Sequence, residues 1–338
     1  MMSTSFIKIY IYPTLLISPF LTISMNSWFT IWMSMELNLM TFIPLMIHLN
    51  QYHKEMSMKY FIIQSFSSSL LMFSSNFFMI DPLNTTNNNF FYTMNFLMIL
   101  SLMIKLGSAP FHLWYIIIMN NMSWSSCFIL STWQKIIPLF MLSYIYNMYM
   151  IIPFIISSSI IGAMFGLNHQ SMRLILAYSS INHLSWMMLN LMIMDSMLMM
   201  YFLSYSIINL TIMMTCFKMN IMFINQIMYL KNKFNNFTLI FNFMSLASLP
   251  PMFGFMMKWY SISIINLNKY NFMLIIMIFM SLMTFIFYMR ICITIMTLTK
   301  LNNKLYLMNI FYQNKKLIIY SMTMLSFLNL WIMNLWLL

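Results

Sequence analysis

The sequence predicts an all-α polytopic membrane protein with about 11 transmembrane helices, and three observations support this fold class. Hydrophobic residues make up 62% of the 338 residues and charged residues only 6%, whereas a soluble domain carries roughly a quarter charged residues. The mean hydropathy is +0.82. The apolar residues form successive runs of about 18–25 residues, each long enough to cross a bilayer. Because no polar stretch is longer than a loop, the sequence predicts no soluble domain.

Short loops separate the predicted spans. In chain order, the spans are Phe6–Ile23, Ser27–Ile47, Lys59–Ile80, Tyr92–Met119, Trp124–Tyr144, Met150–Gly166, Leu174–Met192, Ser196–Phe217, Phe237–Ile265, Phe272–Thr297 and Leu317–Trp336. The fourth and ninth spans contain helix-breaking residues, in the segments Lys105–Trp114 and Ser248–Trp259. Glycine and proline there interrupt helical hydrogen bonding. Lipid offers no hydrogen-bond partners to the backbone groups that such a break frees, so we expect protein or a water-filled cavity around both breaks.

The two broken helices lie five spans apart, which predicts an internal repeat. A unit with an odd number of spans can repeat only in the opposite orientation, as in transporters with inverted-topology repeats. The sequence therefore predicts a first five-helix repeat at residues 1–145 and a second, inverted one at 146–298. Residues 299–338 then form a loop and a C-terminal transmembrane helix.

The charge distribution predicts the topology. The net charge of +12 arises from 16 Lys and Arg against 4 Asp and Glu. If the spans alternate, the loops on the N-terminal side hold the basic residues Lys54, Lys59, Arg173, Lys218, Lys231, Lys233, Lys300, Lys304, Lys315 and Lys316. Such an excess of basic residues is typical of the loops on the side from which a membrane protein is inserted. It argues against nucleic-acid binding, which needs basic residues clustered on a soluble surface.

Four charged residues lie deep enough within spans that no loop or helix end accounts for them: Glu36, Lys105, Lys135 and Lys258. A charge at the centre of a membrane helix costs about 2.5–3.5 kcal/mol on insertion scales, so such residues face inward and pair. Glu36 and Lys105 could be a static ion pair that joins two helices. They could instead form a switch, because a buried amine that loses its carboxylate partner gives up its proton more readily. We favour the switch, with Lys135 as a relay station between the two broken helices.

His112, just past the first break, and His183, at the centre of the seventh span, leave two interpretations open. Each is either a satisfied buried polar group or a proton-passing residue, since imidazole titrates near neutral pH. Neither has the facing histidine that a haem would need. The three cysteines are far apart and predict no metal site, and no glycine-rich nucleotide loop is present.

Five motifs occur in one order along the chain: WMSMELNLMTFIPL (Trp32–Leu45), KLGSAPFHLW (Lys105–Trp114), TWQKIIP (Thr132–Pro138), LNHQSMRLILAYSSINHLSWM (Leu167–Met187) and SLASLPPMFGFMMKW (Ser245–Trp259). With them the chain resembles the subunit 2 family of mitochondrially encoded NADH dehydrogenase (NADH:ubiquinone oxidoreductase, complex I), an antiporter-like subunit family. The resemblance covers nearly the whole chain. The chain departs from the commonest pattern at Ala247 and Ser248, where many relatives have glycine.

The resemblance implies a proton-translocating subunit with two inverted repeats and one discontinuous helix in each. It implies a charge relay through Glu36, Lys105, Lys135 and Lys258, with a possible contribution from His112 and His183. No cofactor is expected on this chain, because NADH, FMN, the iron–sulfur clusters and ubiquinone belong to partner subunits.

The implied partners are neighbouring antiporter-like subunits, small glutamate-bearing subunits, and phospholipids such as cardiolipin. The implied location is the mitochondrial inner membrane, with the N-terminus on the matrix side and the C-terminus on the intermembrane-space side. Two alternatives stay open. The chain could be a cation/proton antiporter subunit without a redox partner, or a purely structural subunit of the membrane arm.

Overall fold

The structure is a computed structural model that describes residues 2–47, 51–80, 88–145, 147–229, 233–250, 252–267 and 271–301. Within these ranges the chain is helical, with short connections and one isolated backbone bridge between Ser171 and Phe223. The predicted all-α class is therefore confirmed. The predicted C-terminal span, Leu317–Trp336, lies outside the described residues.

The chain divides into two compact units, Met1–Ser157 and Ser158–Leu338. The first unit contains α1 (Met2–Ser24), α2 (Trp28–Met46), α3 (Gln51–Ile80), α4 (Asn88–Leu106), α5 (Leu113–Asn121), α6 (Trp124–Ser131) and α7 (Trp133–Tyr144). Helix α2 packs against both α1 and α3. Phe42 of α2 is fully buried, with its ring edge against Tyr60 of α3.

The predicted fifth span is divided at Thr132 into α6 and α7. The backbone of Thr132 leaves the helical region, at φ −120° and ψ −70°, while its hydroxyl donates to the carbonyl of Phe128 at 2.7 Å. Hydroxyls that bond back in this way bend helices. Pro138 lies in the next turns and cannot donate to the carbonyl four residues earlier, which weakens the helix further. The sequence analysis missed this division.

The boundary between the units falls inside α8 (Met148–Gly166). The second unit continues with α9 (Met172–Leu191), α10 (Asp195–Met219), a 3-10 helix (Ile224–Tyr229), α11 (Lys233–Leu246), α12 (Phe253–Leu267) and α13 (Asn271–Leu301). In α9, every side chain from Ile175 to Leu191 is buried. A helix that is buried on all sides belongs at the centre of a bundle.

Membrane-spanning potential can be judged for the described residues alone. Five of their stretches are long and apolar enough to cross a bilayer: Trp28–Met46, Trp124–Tyr144, Tyr149–Gly166, Asp195–Met219 and Asn271–Met296. The shorter apolar helices are Tyr10–Ser24, Phe91–Leu106 and Asn236–Leu246. The total of about 11 spans and the inverted-repeat arrangement therefore stay predictions.

Arg290 of α13 organises one end of the second unit. Its two terminal nitrogens donate to the carbonyls of Leu167 and His169, at 2.8 and 2.6 Å. The imidazole of His169 stacks on the ring of Tyr178, with centroids 5.0 Å apart. The α8–α9 turn is therefore held by a charged donor next to a titratable ring.

This arrangement predicts a pH-dependent stability. Burial and, secondly, the Arg290 charge lower the pKa of His169 below its ordinary value of about 6.5. The unfolded chain therefore takes up the proton first, so stability is complete above about pH 6.5 and decreases as the pH falls through that value. We expect the melting temperature of the detergent-solubilised protein to decrease more between about pH 7.5 and about pH 5.5 than that of His169→Asn. Equal decreases in both proteins would contradict this account.

Candidate functional site

The first helix break is closed by backbone hydrogen bonds around a left-handed residue. Gly107 has φ +67° and donates to the carbonyl of Ile104, while Ser108 donates to that of Met103. This pair of bonds is the Schellman motif, which satisfies carbonyls at a helix C-terminus and favours glycine at its left-handed position. The Ala109–Pro110 peptide bond that follows is cis.

Side chains satisfy further carbonyls at this break. The indole nitrogen of Trp114 donates to the carbonyl of Ile104 at 3.1 Å. The amide of Gln64 on α3 donates to the carbonyl of Lys105 at 3.4 Å. The break is therefore surrounded by protein donors, as expected for backbone at membrane depth.

Lys105 lies in the last turn of α4, next to the acidic residue of α2. Its Nζ donates to the sulfur of Met35 at 3.2 Å, and the charge of Glu36 acts on the amine electrostatically. Within the described residues these two charges form no contact as short as a salt bridge. Glu36 and Lys105 therefore interact over a longer distance than a direct ion pair would. Glu36 is half-buried.

Lys105 and Lys135 line the same cavity of about 30 Å³ in the first unit. A cavity needs roughly 10–15 Å³ of such space to hold one water, so about two waters fit. The other polar residues of its wall are Asn38, Tyr60, Gln64 and Gln134. The cavity therefore brings half-buried Lys105 and buried Lys135 to one partly polar wall.

An amide pair connects α2 with α7 in the wall of this cavity. Asn38 donates to Gln134 at 2.8 Å, and Gln134 donates back to Asn38 at 3.2 Å. The hydroxyl of Tyr60 also donates to the Gln134 side-chain oxygen, at 3.3 Å. Because Gln134 immediately precedes Lys135, this network fixes the backbone from which the second lysine extends.

Lys135 is almost completely buried, with 2% of its surface exposed. Its Nζ lies 4.9 Å from the centroid of the Tyr115 ring. Tyr115 follows the first break on α5, so the break also positions this aromatic face. A cation over an aromatic face is stabilised by the ring quadrupole. Lys135 therefore contacts the broken helix from a neighbouring one.

The second helix break uses the same backbone motif as the first. Ser248 has φ +57° and donates to the carbonyl of Ser245, while Leu249 donates to that of Met244. Gly254, in the first turn of α12, is in close contact with α11, since a Cβ there would overlap the carbonyl oxygen of Ser245. The two breaks differ at the left-handed position, where one has glycine and the other serine.

Lys258 lies one turn beyond Gly254 on α12 and is 6% exposed. Its Nζ donates to the hydroxyl of Ser248 at 2.8 Å. The amine is also 5.9 Å from the ring centroid of Trp186 on α9. The second break thus holds its lysine between a hydroxyl and an aromatic face.

The two histidines occupy different surroundings. His112 precedes α5, is half-buried, and its Nδ1 is 3.0 Å from the carbonyl oxygen of Pro110. It is not part of the cavity wall formed by Lys105 and Lys135. His183 is buried on α9, with its Nδ1 2.9 Å from the hydroxyl of Tyr201 and its ring 5.1 Å from that of Tyr205.

The structure thus groups the predicted residues by unit. Lys105 and Lys135 line one cavity in the first unit, where the charge of Glu36 acts on Lys105, while Lys258 and His183 lie in the second unit. Sequence reasoning missed the supporting residues Asn38, Gln134, Tyr115 and Ser248. Two signals could have found some of them, since Asn38 is polar within an apolar span and Gln134 adjoins a buried lysine.

Comparisons with known proteins give one consistent answer. The family described as NADH:quinone oxidoreductase/Mrp antiporter, TM, matches residues 25–284. NADH-ubiquinone oxidoreductase chain 2 of Anopheles gambiae is 40% identical over 304 residues, covering 88% of both chains. The protein of the same name from Locusta migratoria is 37% identical and covers 84% of both. A chain of respiratory complex I from Thermus thermophilus has the same fold, with a TM-score of 0.77 at 17% identity, over 83% of this chain and 68% of that one.

The close packing at the second break predicts the effect of Gly254→Ala. The added methyl group would overlap the carbonyl oxygen of Ser245, which is backbone and cannot move aside alone. We expect a lower yield of folded protein in the membrane and a lower melting temperature. Gly166→Ala is the matched control, because its new Cβ would meet the side chain of Phe287, which can turn. Equal losses in both variants would contradict this account of Gly254.

The amide pair predicts a second, non-additive result. Gln134→Leu leaves Asn38 and Tyr60 without their partner, which should reduce stability by about 1–3 kcal/mol. Replacing both members, in Asn38→Leu with Gln134→Leu, should recover part of that loss because no buried amide is then left unpaired. Denaturation of the purified protein measures both effects. Additive losses would show that the amide pair is not a coupled interaction.

Proposed function

We infer that this chain, which belongs to the NADH:quinone oxidoreductase/Mrp antiporter transmembrane family, is a proton-translocating antiporter-like subunit of the membrane arm of respiratory complex I. It acts as one subunit of an H⁺-translocating NADH:ubiquinone reductase. Relatives with the name NADH-ubiquinone oxidoreductase chain 2 align over most of their own length, and the fold matches that of a complex I chain. NADH, FMN, the iron–sulfur clusters and ubiquinone belong to partner subunits in this proposal.

The proposed mechanism is a lateral charge relay in the order Glu36, Lys105, Lys135 and Lys258. The observation that supports it most is the shared cavity of Lys105 and Lys135, which is partly polar and large enough for water. Water between two amines offers a path for protons, and the amide pair of Asn38 and Gln134 borders that path. Lys258 extends the relay into the second broken helix, with His112 and His183 as further candidate proton carriers.

The repulsion between two nearby charged amines is comparable in free energy to one step of proton pumping. Two unit charges about 8 Å apart repel by about 2 kcal/mol at an effective dielectric constant of about 20. Moving one charge across 100 mV of membrane potential requires about 2.3 kcal/mol. Protonation of one amine can therefore change the proton affinity of a nearby amine by an amount comparable to one step against the potential.

Glu36 is the proposed point of contact with the rest of the membrane arm. It is half-buried in this chain, whereas Lys135 and Lys258 are almost completely buried. A charged group on a neighbouring subunit could therefore act on Glu36, and through it on Lys105. Neighbouring antiporter-like and small glutamate-bearing subunits are the expected partners, together with phospholipids such as cardiolipin.

The proposed location is the mitochondrial inner membrane. The excess of basic residues in the loops of the N-terminal side supports a matrix location for the N-terminus. With an odd number of spans, the C-terminus then faces the intermembrane space. The names of the relatives, NADH-ubiquinone oxidoreductase chain 2, are consistent with a respiratory-chain subunit.

A cation/proton antiporter without a redox partner is the second candidate, because the family description includes Mrp antiporters. Such a transporter needs carboxylates that coordinate ions at membrane depth. The sequence has 4 acidic residues, and only Glu36 lies near the middle of a predicted span. This scarcity of acids favours the complex I subunit.

The relay predicts that Lys135→Met lowers proton pumping by at least about tenfold while the complex still assembles. Methionine keeps much of the side-chain volume and removes the amine. Proton uptake and NADH oxidation in membrane vesicles, each divided by the amount of assembled complex on a native gel, measure the effect. Lys54→Met, on an exposed position of α3, is the matched control and should pump normally.

Unchanged pumping in assembled Lys135→Met complexes would contradict the relay and favour the purely structural alternative. Pumping that continues without any NADH oxidation, in a chain that purifies outside a large assembly, would instead favour the free antiporter.

A further inference from the structure

We propose that Ser248 is a positioning residue that orients the amine of Lys258 through its side-chain hydroxyl. This inference rests on the relay proposed above, in which Lys258 exchanges protons. The backbone of the second break does not by itself require a serine side chain at this position. Four features of the break support a role for the hydroxyl.

The backbone at this position favours glycine. Ser248 has φ +57°, a left-handed backbone conformation that residues other than glycine, asparagine and aspartate rarely adopt. The equivalent position of the first break is Gly107, with φ +67° and the same pair of closing hydrogen bonds. A serine in this conformation carries strain that glycine would not have. Such strain is typically kept where the side chain has a function.

The Ser248 hydroxyl is oriented by the chain itself. Its oxygen lies 2.6 Å from the carbonyl oxygen of Ala247, to which the hydroxyl donates its single hydrogen. A hydroxyl has one donor and two acceptor sites, so the oxygen is left as an acceptor toward other groups. The Nζ of Lys258 donates to that oxygen at 2.8 Å. The hydroxyl can therefore hold the amine in both its protonated and its neutral form.

The Lys258 amine has a second neighbour, an aromatic ring. Its nitrogen is 5.9 Å from the centroid of the Trp186 ring on α9, a helix that is buried on all sides. Lysine has four side-chain torsions and loses considerable conformational entropy when it is fixed. The hydroxyl supplies a directional contact, whereas the ring supplies only a broad attractive face.

The strained serine also links the backbone break to the lysine. Ser248 is at the left-handed position of the Schellman motif and Lys258 is ten residues later on α12, so one hydrogen bond joins the end of α11 to the following helix. A change in the geometry of the break would therefore move the acceptor of the Lys258 amine. In the first break, Gly107 has no side chain with which to form such a contact.

Three substitutions of Ser248 separate the backbone role from the hydroxyl role. Ser248→Gly relieves the strain and removes the hydroxyl, Ser248→Ala removes only the hydroxyl, and Ser248→Asn tolerates the left-handed conformation and provides another oxygen. We expect glycine and alanine each to slow proton pumping about fivefold to tenfold per assembled complex, and asparagine to be faster than both. Ser263→Ala, at an exposed serine on α12, is the matched control and should pump normally.

A second measurement tests whether the hydroxyl acts through Lys258. Lys258→Met should lower pumping at least about tenfold to a residual rate, and adding Ser248→Ala should not lower that residual rate further, because coupled residues are not additive. The proposal is overturned if Ser248→Gly pumps as fast as the unmodified chain, if asparagine is as slow as alanine, or if the two changes are additive. Normal pumping by assembled Lys258→Met complexes would instead overturn the relay itself.

Discussion

The absence of water from lipid governs this structure, because every backbone carbonyl freed by a helix break must find a donor within the protein. Both broken helices meet this requirement with the same two backbone bonds around a left-handed residue, Gly107 in one and Ser248 in the other. Side chains complete the first break, where Trp114 and Gln64 donate to carbonyls of α4. A break closed in this way is a fixed polar feature, and the lysine beside it extends from an ordered backbone.

The same requirement explains the polar content of the buried helices. In α9 the hydroxyls of Ser179, Ser180 and Ser185 donate to carbonyls three residues earlier, at 2.9, 2.7 and 2.6 Å. Each hydroxyl thereby has a hydrogen-bond acceptor within its own helix. Such serines allow close packing between helices, as small residues do in membrane proteins generally. The polar groups left for function are those whose contacts cross between helices, such as the Asn38–Gln134 pair and the lysine amines.

Much of the fold could be predicted because apolar runs and helix breakers leave direct traces in the sequence. Ten predicted spans coincide with one helix or one broken pair each, and the family predicted from five motifs is confirmed by the relatives. The division at Thr132 was missed because it depends on a hydroxyl bond and on Pro138, and neither forces a break. The cavity was also unpredictable, since Asn38, Tyr60 and Gln134 meet only after three helices pack.

The contacts of the lysine amines give the proposed relay a physical basis that composition alone does not provide. Lys105 donates to a thioether, Lys135 lies over an aromatic face and Lys258 donates to a hydroxyl. The thioether, the ring and the hydroxyl carry no net charge, so these contacts orient an amine without the attraction by which an ionised carboxylate favours its protonated form. Glu36, close enough to act on Lys105 yet not in contact with it, can then alter the proton affinity of that amine by a small movement. A relay needs this combination, because a group that is held in place by a salt bridge must first break it before it can pass a proton onward.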